Sequence, residues 1–271
     1  MEQGRTRRIG DELVALLGTT GQVTPFSQRS GGFDLAAAYD VVALVRKLRW
    51  ARGETAIGRK IGFTNRALWG ALGISAPIWN YVFDKTVCDG SQVDTKFELL
   101  DLPEPRVEPE IVLHLAKSPA IGMDEADLLA CVDWVAAGYE IVYSIFPGWQ
   151  FSAADAAAAY GVHGALLLGA QHYLSGETNK SMKELSSFRV ELVSDRGDSC
   201  NGHAQDILGG PLSALKFLVE EIARYPVSDP LRAGEIVTTG TLTEAMRAIP
   251  GVTWTARFTG IDLIRLRVCF G

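Results

Sequence analysis

Apolar and polar residues alternate along residues 106–116, and this alternation predicts a β-strand. One parity is apolar and the other is charged or polar: Val107, Ile111, Leu113 and Leu115 against Glu108, Glu110 and His114. Residues two apart in a strand share a face, so the carboxylates of Glu108 and Glu110 point the same way. Because like charges this close repel, the pattern indicates either a solvated strand face or a face that binds a cation.

A third glutamate, Glu140, lies in the apolar run 139–146, which also predicts a strand. Buried ionised carboxylates are costly unless they are paired or bind a metal ion. Glu140 is therefore a paired structural residue, an edge residue or a metal ligand. Three carboxylates without a cysteine suit Mg²⁺ or Mn²⁺ better than Zn²⁺ or copper. His114 lies roughly 13 Å along the strand from Glu110, too far to bind the same ion, and is expected to be packed or exposed.

The same periodicities predict the remaining elements. Helical spacing occurs over 8–18, 35–51, 65–72, 124–137, 153–160 and 211–224. Strand-like runs occur over 56–63, 78–83, 165–169, 187–194, 200–204, 236–239, 252–258 and 262–270, with a hairpin or loop over 84–97. Asp34 fits the N-cap of the second helix, and Gly138 fits the C-cap of the fourth. These elements predict one α+β domain over 1–271, with a helical N-terminal segment (1–53) and a β-rich core (54–271) that carries the candidate site.

Composition and charge narrow the function classes. The net charge of −6 and the isoelectric point near 5.3 argue against nucleic acid as the main partner, because phosphate binding requires a basic surface. The four cysteines show no C-x-x-C spacing, which argues against a zinc framework and favours reduced thiols. No signal peptide is visible and no apolar run reaches the roughly 18 residues of a membrane span. We therefore expect a cytoplasmic protein without a membrane partner.

Five segments together carry a family resemblance. They are GRKIGFT at 58–64, EPE at 108–110, EIV at 140–142, GGPLSAL at 209–215 and AGEIVTTGTLT at 233–243. In this order and spacing, the chain resembles the 2-keto-4-pentenoate hydratase and 4-oxalocrotonate decarboxylase family of the fumarylacetoacetate hydrolase superfamily. The resemblance extends from about residue 25 to residue 268.

The resemblance implies a mixed β-roll of the fumarylacetoacetate hydrolase type and a homo-oligomeric assembly. It implies that Glu108, Glu110 and Glu140 bind Mg²⁺ or Mn²⁺. It also implies that Lys60, which the pattern alone would leave as a solvent-facing lysine, is a catalytic proton donor or anchors the substrate carboxylate. The Thr239-Gly240-Thr241 turn would then close on that carboxylate.

The implied activity is that of a metal-dependent hydratase, a lyase that adds water to a 2-hydroxy-2,4-dienoate-type 2-oxo acid in aromatic catabolism. The cation would chelate the C1 carboxylate and C2 oxygen of this small molecule and act as a Lewis acid. The first alternative is a decarboxylase of a 2-oxo-enedioate of the 4-oxalocrotonate type. A C–C bond hydrolase is a further alternative, although it usually needs a His–Glu pair in an N-terminal loop and no histidine precedes His114. A non-catalytic binding protein is the last.

Several residues depart from the family pattern. Tyr143 stands where the hydratases usually carry aspartate, and Ala159-Tyr160 replaces their Asp-Asn pair. Four aromatic residues would either line a larger pocket or pack in the core: Trp79, Trp149, Tyr143 and Tyr160. His163 and His203 lie beside glycines and are either acid–base groups or structural histidines. We expect Trp79 and His163 to contact the substrate together with the threonine turn.

Overall fold

A computed structural model describes residues 2–92, 95–174 and 176–271 of the protein. The helices in these ranges are α1 (Glu2–Leu16), α2 (Leu35–Ala51), α3 (Trp69–Leu72), α4 (Glu125–Leu129), α5 (Ala153–Ala158), α6 (Thr178–Ser187) and α7 (Pro211–Ala223). The strands are β1 (Ala56–Gly62), β2 (Ile78–Phe83), β3 (Val87–Asp89), β4 (Thr95–Phe97), β5 (Arg106–Leu115), β6 (Val132–Val142), β7 (His163–Leu168), β8 (His172–Tyr173), β9 (Arg189–Ser194), β10 (Ser199–His203), β11 (Ile236–Thr238), β12 (Met246–Arg247), β13 (Thr253–Thr259) and β14 (Leu266–Phe270).

The described strands form two sheets. The larger sheet has the order β2-β1-β11-β5-β6-β7-β3, with β12 paired to β5 and β8 paired to β6. Its strands run antiparallel to their neighbours except in the parallel pairs β1–β11 and β3–β7. The smaller sheet has the order β10-β9-β13-β14-β4, in which β14 and β4 are parallel.

The two faces of the larger sheet bury different apolar groups. Odd-numbered residues of β5, such as Ile111, join the main core together with residues of α1, α2, α5 and α7. Val112 faces the other way into a small group, here called the inner cluster, formed by Val82, Val112, Trp134, Ala136, Leu166 and Ile236. The sheet curls around the inner cluster, because residues of edge strand β2 and of β7 both belong to it. Glu108 and Glu110 share the parity of Val112 and so lie on this inner face.

The helix predicted over 124–137 is wrong. Helix α4 covers only its first turn, and β6 begins at Val132. The spacing of Leu128, Val132 and Val135 fits a helix, but β5 pairs with this segment from Val132 onward, and β8 pairs with it on the other side. Long-range strand pairing has therefore overridden the local periodicity.

Gly138 is correspondingly a residue in the middle of β6 and not the helix cap that was predicted. It pairs with Glu110 across the β5–β6 ladder. A Cβ at this position would lie 2.8 Å from Cγ2 of Val112. The glycine therefore leaves room for the side chains of β5 on the inner face.

Other differences concern element ends and one omission. Helix α6 was not predicted, because its sequence is mostly polar and only Ser181 and Leu185 are buried in it. The segment 84–97 is not a hairpin, since β3 pairs with β7 and β4 pairs with β14. Helix α1 begins and ends earlier than predicted, and the last strand begins only at Leu266.

The predicted α+β class, with helices preceding the β-rich part, is confirmed. Asp34 caps α2 as predicted, because its side chain accepts a hydrogen bond from the Ala37 amide at 2.9 Å. No helix within the described ranges has both the length and the apolar character needed to cross a bilayer. The assignment of residues 1–271 to a single domain stays a prediction.

Candidate active site

The three predicted metal ligands meet on the inner face of the larger sheet. Glu108 of β5 lies directly opposite Glu140 of β6, and Glu110 follows two residues further along β5. One carboxylate oxygen from each residue lies within 4.8 Å of the others. Glu110 and Glu140 are fully buried, whereas Glu108 is half-buried. This group, called the glutamate triad below, therefore opens towards solvent at Glu108.

Lys60 reaches the triad from β1, two strands away from β5. It pairs with Thr238 of β11, which in turn pairs with Val112, so its side chain emerges on the inner face. Its Nζ atom lies 3.1 Å from Oε2 of Glu140 and donates a hydrogen bond of 2.8 Å to the carbonyl oxygen of Gly161. Lys60 is only 3% exposed, so it is not a solvent-facing lysine.

Gly161 allows the lysine to approach the backbone this closely. Its φ of +61° lies in the left-handed region, which favours glycine. A Cβ at this position would lie 2.8 Å from Cδ of Lys60. A side chain here would displace the lysine from the triad.

The predicted threonine turn contacts the triad through its backbone. The Gly240 amide donates a hydrogen bond of 3.0 Å to Oε2 of Glu110. The two threonine hydroxyls bond to the main chain, Thr239 to the Ile111 carbonyl and Thr241 to the Thr243 carbonyl, each at 2.9 Å. The turn thus holds Glu110 in place, while its hydroxyl protons point at protein oxygens.

The charges around Glu140 keep it ionised. Burial alone would raise its pKa, but Lys60 and the hydrogen bond from His163 lower the pKa of Glu140 to about 2. Burial likewise lowers the pKa of Lys60, yet the charges of the triad outweigh that effect and the pKa is raised. Glu140 and Lys60 therefore form a buried ion pair.

The other two carboxyls lack such compensation. Burial, and then the charge of Glu140, raise the pKa of Glu108 to about 7. The same two causes raise the pKa of Glu110 well above its usual value. Without a further cation, these two side chains retain protons at pH values where glutamates in water are ionised.

The triad fits a divalent cation by its donor atoms. Oε1 of Glu110 is buried and has no hydrogen-bond partner in the described parts of the chain. Oε2 of Glu140 contacts the Lys60 ammonium but forms no hydrogen bond of good geometry. Buried acceptors without donors are costly, and hard oxygen atoms are the ligands of Mg²⁺ and Mn²⁺. These residues could therefore hold such an ion.

His163 is also brought to the triad, although not as a free group. Its Nδ1 atom lies 2.7 Å from Oε1 of Glu140, and its Nε2 atom lies 2.9 Å from the hydroxyl of Thr86. The side chain has no solvent exposure. Both ring nitrogens are thus occupied by protein atoms.

Trp79 is not brought to the triad. It pairs with Ile61 and therefore points to the opposite face from Lys60, where its ring stacks on Tyr39 at 4.9 Å. Tyr143 and Tyr160 are buried in the main core with their rings 6.3 Å apart. These three aromatic side chains pack in the core, which was the alternative to a larger pocket.

The remaining candidates lie elsewhere. His114 is held by Asp133 at 2.6 Å and stacks on Trp134 at 4.7 Å, so the expectation that it packs away from the triad is confirmed. His203 is exposed beside Asp206 in the smaller sheet. Trp149 lies near the start of β5, where the guanidinium carbon of Arg106 lies 4.2 Å from the centroid of its ring.

Four residues near the site were not predicted from the sequence. One of them, Arg106, could have been found, because it shares the parity of Glu108 in the same predicted strand. Arg247, Thr86 and Gly161 could not be found in this way, because only the pairing of distant segments brings them to this face. A single sequence carries no signal for that pairing.

Comparison with known proteins gives relatives that span most of the chain, although no protein-family model matches it. A 2-hydroxypent-2,4-dienoate hydratase of Pseudomonas putida is 32% identical over 232 residues, which are 84% of this chain and 100% of that protein. A 2-hydroxyhexa-2,4-dienoate hydratase of Comamonas testosteroni is 27% identical over 244 residues, 89% of each chain. A 4-oxalocrotonate decarboxylase of a Pseudomonas species is 29% identical over 234 residues, 86% of each chain.

Solved structures share the fold. The 4-oxalocrotonate decarboxylase of Pseudomonas putida G7, complexed with magnesium and adipate, has a TM-score of 0.88 at 22% identity and covers 99% of this chain and 98% of its own. The fumarylpyruvate hydrolase of Pseudomonas aeruginosa, in complex with Mn²⁺ and pyruvate, has a TM-score of 0.55 at 15% identity. The match covers 78% of this chain and 88% of the hydrolase chain. At these identities the likeness concerns the fold, and it confirms the predicted fumarylacetoacetate hydrolase type.

The raised pKa of Glu110 predicts that this residue destabilises the metal-free protein. A carboxyl whose pKa is higher in the folded than in the unfolded protein costs stability as the pH rises above its unfolded value of 4.5. At pH 8 with a chelator, Glu110→Gln should therefore raise the free energy of unfolding above that of wild type. Thermal melting measures the effect.

Glu177→Gln is the matched control, since Glu177 is exposed and its side chain caps nothing at the start of α6. It should change stability by less than about 0.5 kcal/mol. A lower melting temperature for Glu110→Gln than for wild type would contradict the account, because it would mean that the carboxylate stabilises the metal-free fold.

Proposed function

Because this chain belongs to the family of 2-keto-4-pentenoate hydratases and 4-oxalocrotonate decarboxylases, we propose that it is a divalent-metal-dependent hydro-lyase. It adds water to a 2-hydroxy-2,4-dienoate-type 2-oxo acid, the class of substrate that its relatives' names give. The observation that carries this proposal is the buried glutamate triad with the Lys60 ammonium against it.

Glu108, Glu110 and Glu140 would hold Mg²⁺ or Mn²⁺, the ions named with two structures of the same fold. When bound, the ion supplies a Lewis acid that stabilises negative charge developing on the substrate oxygens. The turn at Gly240 keeps the Glu110 carboxylate in position through the backbone amide. The half-buried Glu108 marks the side from which substrate and water arrive.

Lys60 supplies a proton or a fixed positive charge on the inner face. The Gly161 carbonyl and Glu140 hold its Nζ atom in one place, and its raised pKa keeps this atom protonated. A positioned ammonium group can donate a proton to the substrate or bind its carboxylate. The inner cluster closes the deep side of the site to water, which restricts the reaction to the open side.

Replacing the ammonium tests this role. Lys60→Met should lower kcat for dienoate hydration by at least about 100-fold, the usual contribution of a positioned acid or base, while Mn²⁺ still binds to the intact triad. Loss of dienoate absorbance measures turnover with Mg²⁺ or Mn²⁺. Lys96→Met, at an exposed strand position, should turn over like wild type.

Full activity of Lys60→Met would contradict the assigned role of the lysine. Absence of turnover by wild type on every dienoate chain length, with tight binding of a 2-oxo acid, would favour the non-catalytic binding protein instead.

Decarboxylation of a 2-oxo-enedioate is a second candidate function, favoured by two arginines at the open end of the site. Arg106 lies two residues before Glu108 on the same face, roughly 7 Å along the strand. Arg247 of β12 lies directly opposite Arg106, and like charges placed this way destabilise a sheet. Neither arginine has an ion-pair partner within 4 Å in the described chain. With Trp149 and Glu104, they line a cavity of about 350 Å³ that lies next to the triad and is not lined by its glutamates. The Glu104 carboxylate already accepts hydrogen bonds from the Gln22 side chain and the Gly148 amide. A second carboxylate on the substrate would bind here.

The two functions differ in the charge of the substrate. Arg247→Leu should raise KM about 10-fold for a dianionic 2-oxo-enedioate, the effect of losing one charge-assisted hydrogen bond of about 1.4 kcal/mol, and leave KM for a monoanionic dienoate unchanged. Release of CO₂ identifies decarboxylation. Arg257→Leu, in the smaller sheet, is the control. Equal effects on both substrates would remove the argument for a dianionic substrate.

We also propose that the protein is a homo-oligomer and that it is cytoplasmic. The oligomeric state is inferred from the family resemblance, and the location is inferred from the sequence.

A further inference from the structure

His163 lies at a position that the family motifs do not assign, at the start of β7 beside the triad. It is held at both ends of its ring, by Glu140 at 2.7 Å and by Thr86 at 2.9 Å. Thr86 belongs to the short 3-10 turn between β2 and β3, and its hydroxyl also lies 2.9 Å from the Phe83 carbonyl. A chain of polar contacts thus runs from the β2–β3 connection to the triad.

The chemistry of the partners sets the direction of the first contact. An ionised carboxylate only accepts hydrogen bonds, so Nδ1 of His163 is protonated and its N–H donates a hydrogen bond to Oε1 of Glu140. Nε2 faces the Thr86 hydroxyl, which either donates to it or accepts from it. No ring nitrogen is left to contact a substrate or to transfer a proton to one.

The hydrogen bond from His163 determines which carboxylate oxygen of Glu140 is bonded to the protein. Oε1 takes the hydrogen bond from the histidine, and Oε2 is left facing the Lys60 ammonium at 3.1 Å without a good hydrogen bond. Rotation of the carboxylate would break the histidine contact and leave a buried acceptor unpaired, which is unfavourable. The orientation of Glu140 is therefore coupled to His163.

We propose that His163 is a positioning residue that orients Glu140 for metal binding, and that Thr86 orients His163. This inference rests on the proposed metal-dependent function. Outer contacts of this kind fix the geometry of metal ligands, and their removal typically weakens metal binding by about 10- to 100-fold. The role differs from the substrate contact expected from the sequence, because the side chain is fully buried and both ring nitrogens contact protein atoms.

The direct test is Mn²⁺ affinity, measured by electron paramagnetic resonance of free Mn²⁺ during titration. His163→Leu removes the donor at similar volume and should weaken binding by about 10- to 100-fold. His163→Asn places an amide donor near the position of Nδ1 and should recover most of the affinity. Thr86→Val leaves the histidine in place and should weaken binding by a smaller factor. His203→Leu, at an exposed histidine, should bind like wild type.

Circular dichroism and thermal melting with a chelator establish that each variant is folded. If His163→Leu does not fold, Thr86→Val and His163→Asn carry the test, and wild-type affinity in Thr86→Val would overturn the role of the threonine. Wild-type affinity in a folded His163→Leu, or equal loss in His163→Leu and His163→Asn, would overturn the positioning role. Absence of Mn²⁺ binding by wild type would instead contradict the proposed function, and with it the inference.

Discussion

Three carboxylates enclosed within a few ångströms of one another impose the constraint to which the surrounding structure responds. Two unit charges 4 Å apart interact with about 4 kcal/mol at the dielectric typical of protein sites, and Glu108 faces Glu140 directly across a strand pair. Three separate segments offset this repulsion. Lys60 comes from β1, His163 from β7 and the Gly240 amide from the turn after β11. Strand pairing across the larger sheet brings them together.

These three groups offset only part of the repulsion among the carboxylates. The part that remains gives the site its affinity for a cation. Glu140 is stabilised as an anion by a lysine and a histidine donor, whereas Glu108 and Glu110 have raised pKa values. A cation supplied from outside would satisfy the acceptors that the protein leaves without donors. The uncompensated carboxyls thus destabilise the metal-free fold and form a binding site, a combination that is common at functional sites. The apolar inner cluster on the same face keeps the deep side of the site dry, which strengthens each of these charge interactions.

Much of this arrangement follows from local sequence, and the rest depends on long-range pairing. The period-2 pattern of β5 places Glu108 and Glu110 on one face, and an acid inside an apolar run marks Glu140. The start of β6 was mistaken for a helix, because alanines and valines at helical spacing say nothing of neighbouring strands. Trp79 was expected near the substrate, but the face on which its side chain lies depends on the register of β2 against β1. That register places Asn80, and not Trp79, beside Lys60. Thr86 and Arg247 reach the site only through contacts between distant segments.

The most direct test of the account is metal-dependent binding of oxalate, a stable mimic of the chelating end of a 2-oxo acid. Isothermal titration calorimetry of wild type and of Glu110→Ala, each with Mg²⁺ or with a chelator, measures it. We expect wild type to bind oxalate only when the ion is present, and Glu110→Ala to bind it in neither condition. Equal oxalate binding by wild type with and without the ion would show that the glutamates are structural, and would contradict a metal-dependent active site.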